Sequence, residues 1–190
     1  MYKISMVSLG CPKNQVDAEM MLATIKKAGY EIGAPEAEAD AIIINTCGFI
    51  EEAKAEAIEN ILEAAQYKKT GKCKALIVTG CLAERYKNDV TEEIPEVDVC
   101  VGIGADGDIA KIVEKALGGE KRNFFAEKAA LDLNGDRILG SYPFSTYLKV
   151  GDGCDNCCTY CAIPLIRGGY HSRPYDEVMD ECRQLAAQGV

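Results

Sequence analysis

The sequence has no hydrophobic run that could cross a membrane, for which about 18 or more uninterrupted apolar residues are needed. Its first residues, MYKISMVSLG, are too short and too polar for the apolar core of a secretory signal. With 48% hydrophobic and 27% charged residues, the composition excludes a disordered or low-complexity chain. We therefore expect a cytoplasmic protein with a hydrophobic core.

The chain also lacks an excess of positive charge. It has 21 Lys and Arg residues against 30 Asp and Glu residues, which gives a net charge of −9 at pH 7. An acidic surface repels a polyphosphate backbone, so nucleic acid is disfavoured as a direct partner of this stretch. Tryptophan is absent and histidine occurs once, yet there are ten cysteines. Because structural disulfides seldom persist in a reducing cytoplasm, these thiols indicate metal, cluster or redox chemistry.

Strand patterns alternate with helix patterns over residues 1–118. Apolar, β-branched runs typical of buried parallel strands lie at residues 3–9, 41–45, 75–79 and 97–101. Apolar residues at helical spacing predict helices at 17–28, 51–67 and 109–117, with a short strand at 30–32. This alternation predicts an α/β domain built on a doubly wound parallel sheet.

A second and smaller unit is predicted near the end of the chain. Residues 119–145 are rich in turn residues and carry no helical stripe, which indicates a linker. Residues 146–150 (TYLKV) have a strand pattern, and residues 175–187 have a helix pattern. Since one strand and one helix cannot bury a core, we expect residues 146–190 to be the start of a truncated domain.

Three cysteines each follow a predicted strand. They are Cys11 in SLGC, Cys47 in INTC and Cys81 in VTGC. The carboxyl ends of parallel strands share one edge of a sheet, so these thiols are expected to meet although they are far apart in the chain. Three thiolates can hold three irons of a [4Fe–4S] cluster and leave the fourth iron open. The alternative is that the three cysteines are ordinary small core residues.

A second set of cysteines is close in sequence. Cys154, Cys158 and Cys161 form a CxxxCxxC run after the predicted strand at 146–150. One loop with this spacing can also hold three irons of a [4Fe–4S] cluster. A free iron of such a cluster chelates S-adenosylmethionine, and an electron from the cluster then breaks the sulfonium bond to give a carbon radical. Zinc is the alternative, with His171 as a fourth ligand.

These motifs resemble those of a known family over nearly the whole chain. The CxxxCxxC loop, with Tyr160 before its last cysteine, resembles the radical S-adenosylmethionine superfamily. The stretches SLGCPKN, NTCGFI and TGCLAERY resemble the amino-terminal domain of the methylthiotransferases. CPKN, NTCGFI and CAIPLIRG are similar to the branch that methylthiolates an aspartate of small-subunit ribosomal protein twelve. The branch that modifies transfer RNA shows CQMN and a VPYTRG-like stretch instead.

The resemblance implies two [4Fe–4S] clusters and S-adenosylmethionine as cofactors. The cluster on Cys11, Cys47 and Cys81 would carry the sulfur, and the cluster on the CxxxCxxC loop would generate the radical. Tyr160 would lie near the adenine of S-adenosylmethionine. The resemblance further implies that residues 146–190 hold the first βα unit of a TIM-like radical barrel, and that the chain alone is inactive.

The implied reaction uses two molecules of S-adenosylmethionine. One methylates the sulfur, and the other yields the radical that removes hydrogen from the β-carbon of the ribosomal aspartate. An unactivated C–H bond offers no acidic proton to a side chain, so the scarcity of histidine is consistent with this chemistry. A flavodoxin- or ferredoxin-type electron donor is the implied partner.

Two other functions remain open at this point. A methylthiotransferase acting on transfer RNA is one, although the acidic charge favours a basic ribosomal protein as substrate. A non-enzymatic electron carrier is the other, although ferredoxins normally bind each cluster through four cysteines.

The remaining cysteines and two arginines receive weaker interpretations. Cys157 breaks the CxxxCxxC register and is not assigned as a ligand, and Cys100 is expected in the core. Arg167 and Arg173 either contact the cofactor carboxylate or the substrate, or are solvated. The other two cysteines, Cys73 and Cys182, are expected to be bystanders.

Overall fold

The computed structural model describes residues 1–127, 133–140 and 144–190, and its first part is built on a five-stranded parallel sheet. The strands lie in the order β2-β1-β3-β4-β5, and every neighbouring pair is parallel. Their bounds are β1 Lys3–Ser8, β2 Glu31–Ile32, β3 Ala41–Thr46, β4 Ala75–Gly80 and β5 Val99–Cys100. The predicted α/β class with a parallel sheet is thereby confirmed.

Helices cover both faces of this sheet. The helices of this part are α1 Pro12–Lys27, α2 Glu51–Thr70, α3 Cys81–Tyr86, α4 Asp89–Glu93 and α5 Ile109–Leu117. Short 3-10 turns lie at Glu36–Glu38 and Ile103–Asp108. In β3, Ile42 and Ile44 pack in the cluster that contains α2, whereas Ile43 packs in the cluster that contains α1 and α5. All six residues of β3 are buried, since a central parallel strand is covered on both faces.

The sheet has a topological switch point between β1 and β3. The chain leaves β1 through α1 toward β2 on one side, and it leaves β3 through α2 toward β4 on the other. In open sheets of this order the two connections diverge and open a crevice at the carboxyl ends of the strands, where ligands bind. Two of the three strand-end cysteines follow these two strands.

Helix α1 begins earlier than the apolar spacing predicted. It starts at Pro12 and not at residue 17, with Cys11 as the N-cap residue. Proline is well tolerated in the first turn of a helix, because its missing N–H would have no partner there. The turn also contains Lys13 and Asn14, whose polar side chains gave no apolar stripe to detect.

The second part of the chain differs from the predicted barrel unit. The strand predicted at residues 146–150 is not formed, and the structure shows the two-residue strands β6 Gly151–Asp152 and β7 His171–Ser172, paired antiparallel. A strand needs a neighbour to hydrogen-bond with, and the alternating TYLKV pattern alone supplies none. Helix α6 Ile163–Arg167 follows the cysteine loop, and the helix predicted at 175–187 is present as α7 Tyr175–Ala187.

Ion pairs fasten this second part to helix α1. Arg137 pairs through Nη2 with Glu19 Oε2 at 2.6 Å and through Nη1 with Glu181 Oε1 at 2.6 Å. The predicted linker at 119–145 includes residues 128–132 and 141–143, which lie outside the described residues. In the described part of the chain, no helix has the length and apolar character to span a membrane.

Candidate functional site

The three strand-end cysteines lie at one edge of the sheet, as predicted. Cys11 follows β1, Cys47 follows β3, and Cys81 follows β4 as the first residue of α3. A Cβ atom placed on Gly10 would lie 2.6 Å from Cys47 Cβ and 3.1 Å from its Sγ. A Cβ atom on Gly48 would lie 2.8 Å from the Cα of Leu82. The loops after β1, β3 and β4 are therefore in direct contact.

Gly10 and Gly80 are the residues that permit this contact. Their φ angles are +92° and +91°, in the region that side chains other than hydrogen disfavour. A Cβ on Gly80 would lie 2.5 Å from both Asn45 Oδ1 and the carbonyl oxygen of Thr46. Replacing either glycine would push two of the cysteine loops apart.

The buried amide of Asn14 ties the three loops together. Its Nδ2 donates to the carbonyl oxygens of Leu9 at 3.1 Å and Thr46 at 2.7 Å. Its Oδ1 accepts from Cys81 Sγ at 3.4 Å. Asn45 Nδ2 in turn donates to the Asn14 carbonyl oxygen at 2.8 Å. Asn14 lies in the CPKN motif, but sequence reasoning gave it no role.

The three thiols differ in exposure and influence one another. Cys11 is exposed, whereas Cys47 and Cys81 are 8% and 5% exposed. Burial raises the pKa of the Cys81 thiol to about 11, the Arg167 guanidinium opposes this, and Cys47 and Cys11 raise it further. Cys81 is thus a neutral thiol at pH 7, and a bound metal would have to displace its proton.

Arg167 reaches the first cysteine set from the second part of the chain. It is 1% exposed, and its Nη2 lies 2.6 Å from Asn14 Oδ1 and 3.7 Å from Cys81 Sγ. The guanidinium also pairs with Asp152 Oδ2 at 2.7 Å and Asp17 Oδ2 at 3.0 Å. The interpretation of this arginine as a solvated residue is therefore wrong.

Two lysines complete this network. Lys149 pairs with Asp17 and, at 3.2 Å, with Asp152, while Lys13 pairs with Asp152 at 2.8 Å. Burial alone would raise the pKa of Asp152, but Arg167 and the two lysines hold it well below its usual range. The Asp152 carboxylate is therefore charged in the folded protein and anchors the network.

A further carboxyl group lies close by. Asp106 Oδ1 accepts a hydrogen bond from Thr79 Oγ1 at 2.9 Å. Burial, with a smaller effect from Asp17, raises the pKa of Asp106 to about 8. Asp106 is therefore mostly protonated at pH 7 and adds little negative charge beside Arg167.

The CxxxCxxC loop lies between β6 and α6. Its Cys154 N–H donates to the carbonyl oxygen of Gly168 at 3.1 Å, and the Cys161 N–H donates to that of Cys158 at 3.0 Å. Cys154 and Cys161 are half-buried, and Cys158 is exposed together with the unassigned Cys157. All ten cysteines are free thiols.

Helix α6 brings this loop next to the first cysteine set. Ile166 on α6 packs in one buried cluster with Cys81 and Ile103, and Ala162 packs against it. Tyr160 is 87% exposed, so its ring does not fill the interior of the loop. The two cysteine sets are therefore neighbours, joined through α6 and Arg167.

A family model described as "Uncharacterized protein family UPF0004" matches residues 3–102. The chain belongs to this family. The matched stretch contains all five strands of the UPF0004 sheet and the whole first cysteine set. The CxxxCxxC loop lies beyond it.

Relatives of this UPF0004 protein match it along its whole length. A protein of Desulforamulus reducens is 49% identical over 192 residues, which cover 100% of this chain and 43% of the relative. A protein of Pelotomaculum thermopropionicum is 48% identical and one of Geobacter sulfurreducens 49% identical, each over 99% of this chain. Each of these relatives is named "Ribosomal protein uS12 methylthiotransferase RimO". The chain spans less than half the length of these relatives.

The donor set of the UPF0004 chain suits a cluster better than a single ion. Across residues 1–127, 133–140 and 144–190, no three His, Cys, Asp or Glu side chains are arranged to hold one metal ion. Zinc takes its thiolates at about 2.3 Å from one point, whereas a cubane spreads its thiolate ligands over separate irons. Three thiols on three touching loops fit the second arrangement. The zinc alternative concerns the second cysteine set with His171, and among the described residues these side chains are not arranged to hold a single ion either.

Proposed function

We propose that the protein is a radical S-adenosylmethionine methylthiotransferase that modifies an aspartate of ribosomal protein uS12 at its β-carbon. The observation that carries the proposal is the convergence of Cys11, Cys47 and Cys81 at the switch-point edge of the sheet. The names of the relatives, which match along the whole chain, support the substrate.

Each cysteine set is proposed to hold one [4Fe–4S] cluster. Cys11, Cys47 and Cys81 would hold the first, and Cys154, Cys158 and Cys161 the second. When bound, the clusters and S-adenosylmethionine supply the transferable sulfur and the one-electron chemistry that side chains lack. Cys158 is exposed and Cys154 and Cys161 are half-buried, so solvent reaches the second loop.

The side chains of this chain position and shield the proposed centre. Asn14 fixes the spacing of the three strand-end loops through its hydrogen bonds. The exposed ring of Tyr160 is available to cover the adenine of S-adenosylmethionine. A flavodoxin- or ferredoxin-type protein is the proposed electron donor.

Iron content after anaerobic reconstitution tests the two cluster sites. The chain should bind about eight irons, because each cubane contains four. Changing Cys11, Cys47 and Cys81 to Ala should leave about four, and changing Cys154, Cys158 and Cys161 should also leave about four.

A matched triple variant controls for the loss of thiols in general. Cys73, Cys157 and Cys182 are free cysteines outside both sets, and their joint change to Ala should leave iron content unchanged. Full iron content in the Cys11, Cys47 and Cys81 variant would refute the first site.

The substrate is tested with the protein purified from its native source. Incubated anaerobically with S-adenosylmethionine and a reductant, it should add a methylthio group to isolated uS12, detected by peptide mass spectrometry. A net charge of −9 in this stretch disfavours transfer RNA. Modification of adenosine in isolated transfer RNA, with uS12 unchanged, would identify the protein as a transfer-RNA methylthiotransferase.

The electron-carrier alternative is separated by a spectroscopic test. A cluster with an iron free of protein ligands should change its electron paramagnetic resonance spectrum when S-adenosylmethionine is added. Spectra that do not change when S-adenosylmethionine is added would favour an electron carrier over the proposed enzyme.

A further inference from the structure

One buried guanidinium contacts both halves of the molecule. Arg167 ends helix α6, shortly after the last cysteine of the second set, and its Nη2 lies 3.7 Å from Sγ of Cys81 in the first set. The same nitrogen donates to Asn14 Oδ1 at 2.6 Å, the amide that ties the strand-end loops.

The buried charges around Arg167 balance within the network. The buried cations Arg167 and Lys149 face the two carboxylates of Asp17 and Asp152, and Lys13, whose side chain is 41% exposed, also pairs with Asp152. The side chain of Arg167 is 1% exposed, and that of Asp152 is fully buried. Two ion pairs therefore fix the guanidinium in place, which holds its Nη2 beside Sγ of Cys81.

Hydrogen bonds and positive charge at a cluster sulfur stabilise the reduced, more negative cluster. They are among the features that set the potential of iron–sulfur centres. On the basis of the proposed function, we propose that Arg167 is a positioning residue that clamps α6 onto the first cysteine set and raises the reduction potential of the cluster held there.

The measurement is a redox titration of the first cluster alone. In the full chain with Cys154, Cys158 and Cys161 changed to Ala, one electron from dithionite reduces [4Fe–4S]²⁺ to [4Fe–4S]⁺, which electron paramagnetic resonance detects. Arg167→Gln should make reduction at least tenfold less favourable, a downward shift of about 59 mV for a one-electron couple. Arg167→Lys keeps the positive charge but loses the planar set of N–H donors. It should lower the reduction potential by less than Arg167→Gln does.

Arg173 provides the matched control. It is 9% exposed, it lies in the same part of the chain, and it pairs with Glu181 while donating to Asn134 Oδ1 at 2.9 Å. Arg173→Gln removes a buried guanidinium without touching the first cysteine set, so the potential should stay unchanged. Equal shifts of the reduction potential in Arg167→Gln and Arg173→Gln, or an unchanged potential in Arg167→Gln, would overturn the inference. If Arg167→Gln binds no iron, an unchanged potential in Arg167→Lys would overturn it.

The clamp is tested separately in the metal-free chain by hydrogen exchange. Arg167→Gln should increase amide exchange in α6, because α6 then loses its bonds to Asn14, Asp17 and Asp152. Arg173→Gln should leave α6 protected. Unchanged exchange of α6 in Arg167→Gln would refute the clamp. Absence of iron in the parent protein would instead refute the proposed function, so the two failures are distinguishable.

Discussion

The two cysteine sets lie in opposite kinds of surroundings. The first draws its thiols from three separate strand ends, two of them buried, and Asn14 cross-links the loops that carry them. The second draws its thiols from one short loop whose cysteines are half-buried or exposed. The first set is therefore a product of the whole sheet, whereas the second depends mainly on local spacing. Substitutions that disturb the sheet should affect the first set more than the second.

Asn14→Ala should produce the largest effect and should act on the first set. It takes the side-chain donor from the carbonyl oxygens of Leu9 and Thr46 and removes one of the three oxygen acceptors of Arg167. Several unsatisfied buried groups together should cost about 3 kcal/mol of unfolding free energy, measured by urea titration.

Asn60 is the control for this change. It lies on α2 and makes one hydrogen bond near the surface, to the Glu56 carbonyl oxygen. Asn60→Ala should stay within about 0.5 kcal/mol of the parent protein. Equal costs for the two variants would contradict the cross-linking role of Asn14.

Asp106→Asn should change how the stability of the sheet edge depends on pH. The folded pKa is about 8 and the unfolded pKa about 3.9, so the unfolded state holds fewer protons between these values. Stability therefore falls as pH rises from about 4 to about 8, and Asp106→Asn should remove about 2 kcal/mol of that fall. Unfolding free energies at pH 5 and pH 8 provide the measurement.

Asp108, in the same 3-10 turn, serves as the comparison for Asp106. Its carboxylate is exposed and pairs with Lys111 at 2.7 Å. Asp108→Asn removes only an exposed ion pair, so it should change the unfolding free energy by less than about 0.5 kcal/mol. A parental slope in Asp106→Asn would show that this carboxyl group is ionised in the folded state at neutral pH.

Gly10→Ala should separate loop contact from backbone strain. Gly10 and Gly29 have φ angles of +92° and +91°, but only Gly10 has a neighbour, Cys47, within contact of a new Cβ. Gly10→Ala and the control Gly29→Ala both force a side chain into a positive φ region. Gly10→Ala should lower the unfolding free energy, measured in urea, by about 1 kcal/mol more than Gly29→Ala does. It should also lose iron from the first set. Equal stability and equal iron content in the two variants would contradict the close contact of the loops.

Tyr160→Ala should have the smallest effect on the fold. The ring is 87% exposed, so Tyr160→Ala should change the unfolding free energy by less than about 0.5 kcal/mol, as the shift in melting temperature relative to the parent protein would show. Under the proposed function, binding of S-adenosylmethionine should nevertheless weaken, as equilibrium dialysis of the reconstituted protein would detect. A large loss of stability would show that Tyr160 supports the loop itself.

The sequence predicted the sheet and the placement of Cys11, Cys47 and Cys81 at one edge of it, because both follow from local patterns. The buried run at 41–45 identifies a central strand, and Cys47 must then lie at the carboxyl edge. Likewise, Cys100 is fully buried, as its position between two valines predicted.

The burial of charged side chains could not be predicted from the sequence in the same way. Arg167 is buried because Asp17, Asn14 and Asp152 surround it, and two of these lie far from it in sequence. A single sequence does not show such pairings, and an isolated arginine has a strong preference for the surface. The strand predicted at 146–150 was wrong for a related reason, since strand formation depends on a neighbour.

The strand order has a consequence for how the first site comes into existence. Strand β3 pairs with both β1 and β4, so Cys81 meets Cys11 only after β3 has been inserted between the other two strands. Such long-range pairing is slow compared with closure of a short loop, which takes about 10–100 ns. During refolding, the CxxxCxxC loop can therefore gather its thiols early, whereas the first set must await the completed sheet. Iron bound by Cys11, Cys47 and Cys81 during refolding would thus show that the strands have paired in their native order.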